Sequence, residues 1–115
     1  MWEPITELQF RDKFYTVLDN IKQKSFSFVA GPGRSGAIAS VYASHYLSIP
    51  FKPHKTGNYT GDTSVLIVDT VEYTGNTLRK AASWYGKRGL YVTITFAFKE
   101  SRGHYYKFWY ENGHR

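Results

Sequence analysis

The 115-residue sequence contains no cysteine, which excludes disulfides, thiolate nucleophiles and cysteine-ligated zinc and fits a reducing compartment. It also lacks an apolar run of the ~20 residues needed to cross a bilayer; its longest ones, at 65–68 and 90–98, are the length of strands. Met1-Trp2-Glu3-Pro4 has neither the basic region nor the apolar core of a secretion signal. A cytoplasmic location with no membrane partner is therefore expected. No repeat, low-complexity run or linker divides the chain, and its length suits a single domain over 1–115. His45, His54, His104 and His114 show no metal-ligand spacing.

Acidic residues are scarce in one place. The sequence holds 15 Lys plus Arg against 9 Asp plus Glu, a formal charge of +6. Between Asp19 and Asp62 there is no acid, while Lys22, Lys24, Arg34, Lys52 and Lys55 fall in that interval. A purely basic stretch attracts anions. Rings, by contrast, are abundant: with 10 Tyr, 8 Phe and 3 Trp, a small core cannot hide them all, so some are expected in a groove or at a homodimer interface.

Apolar periodicity predicts an amphipathic helix over 6–22, a short buried strand over 25–30, a glycine-rich loop over 31–36 and a helix over 37–47. Residues 51–62, rich in Gly, Thr, Asn and Lys, read as a mobile loop with at most a very short strand at its start. Val65-Leu66-Ile67-Val68-Asp69 is the clearest strand, with branched residues suited to burial on both faces. A turn at 70–75, a helix over 76–87 and a near-continuous apolar strand over 90–98 follow. Strand, helix, strand, helix, strand predicts a single-domain α/β fold, a mostly parallel twisted sheet with helices on both faces. Ligands of such sheets sit beyond the carboxyl ends of the strands. The tail from Lys99, with Tyr105, Tyr106, Phe108, Trp109 and Tyr110, reads as an edge strand, a lid or an interface.

Two loops at those strand ends are suited to phosphate. Gly31-Pro32-Gly33-Arg34-Ser35-Gly36 lets backbone amides approach an anion, adds the positive end of the following helix, and adds the charge of Arg34. As a dinucleotide fingerprint it fails, because the acid expected ~20 residues later falls in the acid-free interval. The second loop is more specific. Asp69 ends a buried strand, and Thr74, Gly75 and Thr77 open a helix. A carboxylate there can accept hydrogen bonds from sugar hydroxyls or bind hydrated magnesium, and the helix start can hold a phosphate. The P-loop lysine of a nucleotide triphosphatase is missing.

The segment 65–78 resembles the phosphoribosyl pyrophosphate motif of type I phosphoribosyltransferases, and the loop at 31–36 is similar to that family's pyrophosphate loop. The resemblance covers about residues 25–98. It implies a transferase that uses phosphoribosyl pyrophosphate and Mg²⁺ to place a phosphoribosyl group on a nitrogenous base. By this resemblance Asp69 and Thr70 hold the ribose, and Tyr73, Thr74, Gly75, Asn76 and Thr77 hold the 5′-phosphate. Gly33, Arg34, Ser35 and Gly36 hold pyrophosphate, often through a strained or cis peptide, and Lys52, His54, Lys55 or Tyr59 close over the site. Asp69, Glu72 and Arg34 carry the catalysis, and magnesium is reached only through Asp69, with no other direct protein ligand.

Three departures qualify the resemblance. Thr70 replaces the second acid of the motif, and Tyr73 stands where purine-using relatives place an Asp, which argues against a purine salvage enzyme of that type. The chain is also short for a family whose base-selecting hood comes from added segments, leaving the first helix and the aromatic tail to supply it, with Tyr105, Tyr106, Phe108 or Trp109 as candidates to stack on a base. A non-catalytic relative that binds phosphoribosyl pyrophosphate or a nucleotide is the alternative. A nucleic-acid module ranks last, and nucleic acid is not expected as a partner.

Overall fold

Thr6 opens the first helix by a reciprocal cap. Its hydroxyl accepts from the Gln9 N–H at 3.1 Å, and the Gln9 side chain accepts from the Thr6 N–H at 2.8 Å. The structure, a computed structural model, describes residues 1–59 and 61–111; His114 lies outside the described residues. Helix α1 (Glu7–Asp19) buries Phe10, Phe14 and Leu18 on one face. It is preceded by a strand that the sequence pattern does not reveal, β1 (Trp2–Ile5).

The middle of the chain follows the expected alternation: β2 (Phe28–Ala30), α2 (Gly33–Leu47), β3 (Ser64–Glu72), α3 (Asn76–Gly86) and β4 (Tyr91–Lys99). These strands form a parallel sheet in the order β2-β3-β4. A single bridge from Phe51 to Val29 adds a vestigial strand outside β2, the short strand anticipated at the start of the 51–62 segment. Helices lie on both faces. Leu66 and Val68 of β3 pack with α1 and α2 residues such as Phe10, Phe14 and Ala39, while Val65 and Ile67 pack with Leu78, Ala81 and Tyr85 of α3. The period-two alternation of β3 therefore feeds two separate apolar clusters, which is why its run of branched residues is unbroken.

One expectation is corrected and two readings are refined. Helix α2 begins at Gly33 rather than at 37, because Pro32 sets an extended N-cap (φ −75°, ψ 141°) and the glycine-rich segment itself supplies the first helical turn. Strand β4 has an apolar sequence but is not buried throughout, since it forms the sheet edge: Tyr91 is 66% and Ile94 39% exposed. The tail does not join the main sheet. Strand β5 (Tyr105–Phe108) pairs in parallel with β1, Trp2 opposite Tyr105 and Ile5 opposite Phe108, and runs into a 3-10 turn at Trp109–Glu111. Many of the surplus rings are thereby absorbed: Phe10 contacts Phe14, Phe108 and Trp109 at centroid distances of 5.0, 6.3 and 5.6 Å. No helix among the described residues is long and apolar enough to cross a membrane.

Candidate functional site

In a parallel sheet every strand points its carboxyl end the same way, so the β2–α2 and β3–α3 connections emerge side by side. Gly31 and Gly36 make the first connection tight. A Cβ on Gly31 would lie 2.1 Å from the Gly36 carbonyl oxygen and 2.6 Å from that of Val68, and one on Gly36 would lie 2.5 Å from the Gly31 carbonyl carbon. Gly36 is buried and its N–H donates to the Pro32 oxygen at 3.0 Å. The geometry thus gives Gly36 a packing role rather than the anion contact inferred from the motif. Gly33, at φ +66° with open space around it, and Arg34 are the exposed members of the turn. No peptide among the described residues is cis.

Both helices that start here lack a side-chain cap. Helix α2 is preceded by Pro32 and α3 by Gly75 (φ 83°), and neither residue supplies an acceptor. First-turn amides have no partner within their own helix; at α3 one of them, the Asn76 N–H, is turned toward the Thr74 hydroxyl at 3.3 Å. In contrast with the completed capping box of α1, these two starts leave first-turn amides without a side chain from the capping position.

Asp69 stands between them. It is 6% exposed, hydrogen-bonded by the Ser35 hydroxyl from the α2 start and by its neighbour's N–H at 2.7 Å. Burial pushes its carboxyl up to about 6, against the lowering effect of those two hydrogen bonds. Two cavities flank it. One, of about 110 Å³, is lined by Asp69 and the loop from Glu72 to Leu78; the other, of about 370 Å³, runs from Arg34 and Ser35 to Trp2, Tyr106, Phe108 and Tyr110. Val71 is a wall of both.

The remaining residues inferred from the motif divide sharply. Tyr73, Thr74, Gly75, Asn76 and Thr77 line the smaller cavity together. Thr70 is fully buried, and its hydroxyl meets the Tyr110 hydroxyl at 2.9 Å, so the position of the missing acid faces the tail instead of the cavity. Glu72 is buried beneath its own loop, with Oε2 on the Lys99 ammonium, which also donates to the Tyr73 carbonyl at 2.8 Å. Its Oε1 has no hydrogen-bond partner among the described residues and lies against Gly75, opposite the Arg79 guanidinium. Glu72 therefore braces the loop through Lys99 while lining the smaller cavity with Asp69.

The four residues expected to close over the site are held elsewhere. Tyr59 stacks on Phe28 at 5.1 Å and Lys52 lies over both rings. The Lys55 N–H donates to the Tyr85 hydroxyl at 2.9 Å, beside His54. Phe28 opens β2 and Tyr85 lies in the last turn of α3, both at the end of the sheet opposite Asp69. Among the tail rings, Tyr106 and Phe108 line the larger cavity, Tyr105 packs on Trp2 at 5.1 Å, and Trp109 turns into the core. Sequence reasoning missed Trp2 and Tyr110; only the β1–β5 pairing brings them to the cavity.

No protein-family model and no curated protein matches the sequence. Solved structures do match in shape. A purine phosphoribosyltransferase from Pyrococcus horikoshii is 20% identical, with a TM-score of 0.75 over 96% of this chain and 94% of that one. A xanthine-guanine-hypoxanthine phosphoribosyltransferase from Helicobacter pylori is 10% identical, with a TM-score of 0.77 over 97% and 95%. A Neisseria gonorrhoeae protein with bound ppGpp is 12% identical, with a TM-score of 0.70 over 99% and 92%. The first two are of similar length to this chain, whereas an adenine phosphoribosyltransferase (16% identical, TM-score 0.62) is covered over only 69% of its length, in keeping with a chain that is short for such proteins. Over nearly its whole length the chain adopts the type I phosphoribosyltransferase fold.

Proposed function

We propose that the chain binds phosphoribosyl pyrophosphate with Mg²⁺ and transfers its phosphoribosyl group to a nitrogenous base, releasing pyrophosphate. The observation that carries this reading is the pair of uncapped helix starts on either side of the buried Asp69 carboxylate. A ligand with phosphate at both ends and hydroxyls between them matches that order of charges.

In this reading Asp69 accepts from the ribose 2′ and 3′ hydroxyls, a task that needs its ionised form. The α3 start, with the Thr74 and Thr77 hydroxyls, holds the 5′-phosphate. The amides of Gly33, Arg34 and Ser35, with the Arg34 charge, hold the pyrophosphate. The C1′–oxygen bond breaks with its electron pair leaving on pyrophosphate, a base nitrogen forms the new bond to C1′, and the base gives up its proton. Stabilising the departing charge and excluding water carry most of the rate. Trp2, Tyr106 and Phe108 line the cavity available to the base.

The donor set fits magnesium held chiefly by the substrate. Asp69 is the carboxylate at the strand end, Glu72 is engaged by Lys99, and no cluster of three metal-binding side chains occurs among the described residues. One carboxylate plus substrate oxygens and water is an ordinary magnesium shell. Bound there beside Asp69, magnesium would supply charge neutralisation to the leaving group.

One observation favours a second reading, a binder without turnover: Thr70 stands at the position of the motif's second acid and faces Tyr110, and Glu72 is engaged by Lys99. A neighbour of this fold holds ppGpp, a pyrophosphate-bearing nucleotide, which supports binding of such a ligand as the second reading. The test is thermal unfolding with Mg²⁺ and phosphoribosyl pyrophosphate, followed by pyrophosphate release across a panel of bases. Ligand at a hundred times its Kd stabilises by about 2.7 kcal/mol. Release that Asp69→Asn abolishes supports transfer, binding without release supports the second reading, and no shift at millimolar ligand overturns both.

A further inference from the structure

The basic interval 20–61 is not unique. No acid occurs from 73 to 99 either, where Arg79, Lys80, Lys87, Arg88 and Lys99 fall. The fold brings these two acid-free stretches together at the end of the sheet away from Asp69. The hydrogen bond from the Lys55 N–H to the buried Tyr85 hydroxyl pins residue 55 of the first stretch onto α3 of the second. There Lys55, Lys80, Ser83, Trp84, Lys87 and Arg88 line an open groove of about 430 Å³. Of the five cations in the first interval, Arg34 lines the cavity beside Asp69, whereas Lys55 lines this groove.

The charge of the groove is uncompensated. Salt bridges among the described residues join Lys22 to Asp19, Lys99 to Glu72 and His104 to Glu3, and none includes Lys55, Lys80, Lys87 or Arg88. Glu3, Glu7, Asp12, Asp19, Glu100 and Glu111 belong to α1 and the β1–β5 side or their connections, and Asp62 does not line the groove. Four cations along one open channel create a positive potential that a single small anion does not match but a chain of phosphates does. The groove also holds a flat surface. The Arg88 guanidinium lies 3.7 Å from the Trp84 ring centroid and is fixed by donating to the Trp84 carbonyl at 2.8 Å. Stacked guanidinium and indole planes are surfaces on which unpaired bases stack.

We propose that this groove binds single-stranded nucleic acid, with phosphates along Lys55, Lys80 and Lys87 and a base against the Trp84–Arg88 stack. The site is separate from the one around Asp69 and does not depend on its chemistry. It revises the ranking drawn from sequence, which placed nucleic acid last and gave Lys55 to the segment closing over the phosphate site.

The test is fluorescence anisotropy with labelled oligo-U and oligo-dT of about twelve residues in low salt, at about 20 mM. Binding should weaken with a log–log salt slope of about −2, as expected for about three phosphates neutralised on a single strand. Lys80→Glu with Lys87→Glu should weaken it at least tenfold while leaving the melting temperature and any phosphoribosyl pyrophosphate response unchanged, and Asp69→Asn should leave it intact. Absence of binding at low salt, wild-type affinity in the double variant, displacement by phosphoribosyl pyrophosphate, or equal affinity for inorganic polyphosphate of the same charge each overturns the proposal.

Discussion

The hydroxyl of Thr70 meets the hydroxyl of Tyr110 at 2.9 Å across 40 residues of chain. The contact ties the end of the central strand to the aromatic tail at a position where the resemblance led us to expect a second acid. Thr70 is fully buried, so its hydroxyl depends on this partner, and burial pushes the Tyr110 phenol up to about 12. Tyr110→Phe should cost about 1–2 kcal/mol in urea unfolding, because a buried hydroxyl is left unpaired. Thr70→Val combined with it should recover most of the loss. Thr70→Asp, which restores the acid, should destabilise more than either, since it puts a charge beneath the tail rather than into the cavity.

Asp69 should couple stability to pH. Its carboxyl is raised from 3.8 to about 6 by burial, so the folded state holds the proton more tightly than the unfolded chain. Stability is then lost as pH rises from about 4 to about 6, with the full deficit of roughly 3 kcal/mol present above that window. Asp69→Asn does not titrate. It should therefore be more stable than the parent at pH 8 and no more stable at pH 4, as read by denaturant midpoints. An advantage that persists at pH 4 would show that the carboxyl is not held up by burial.

The loop around the smaller cavity should depend on the Glu72–Lys99 pair. Lys99→Met leaves the buried Glu72 carboxylate with neither oxygen paired, Oε1 already lacking a partner among the described residues, and should destabilise by about 1–3 kcal/mol. Lys99→Met with Glu72→Gln should restore much of this, giving a clear coupling energy in a double-mutant cycle. Additive losses would mean that the pair is incidental.

The glycines of the first loop should differ in what they tolerate. Gly31→Ala places a methyl 2.1 Å from the Gly36 carbonyl oxygen and should prevent a stable fold, with little soluble protein recovered. Gly33→Ala meets nothing within 4 Å, so its cost should be the left-handed backbone alone, about 1 kcal/mol, measured by calorimetry.

Much of the fold was legible because β3 and the helices that flank it announce themselves locally. Leu66 and Val68 serve one cluster and Val65 and Ile67 the other, and four branched residues in a row encode this directly. Asp69 and the turn at 73–77 were likewise readable, since the carboxylate and the helix start are neighbours in the chain. Strand β1 was not. Trp2-Glu3-Pro4-Ile5 has no alternation and owes its strand conformation to a partner a hundred residues away. The destinations of Lys52, His54, Lys55 and Tyr59 were hidden for a related reason: Phe28 and Tyr85 hold that segment, and neither adjoins it in sequence. Gly36 misled because a glycine required for backbone contact and one required for an anion look alike until the neighbouring carbonyls are placed.

The parallel pairing of β1 with β5 has a consequence for synthesis. Trp2 emerges from the ribosome early and Tyr105 among the last described residues, so the sheet and both helix starts can assemble while one wall of the larger cavity is still missing. Translation proceeds at about 5–20 residues per second, which leaves the nascent chain several seconds in which the Asp69 end of the sheet is open and Phe108 cannot yet cover Phe10. Closure of the larger cavity and shielding of these rings are therefore late events, and a stall before Tyr105 should expose a sticky intermediate rather than a smaller version of the domain.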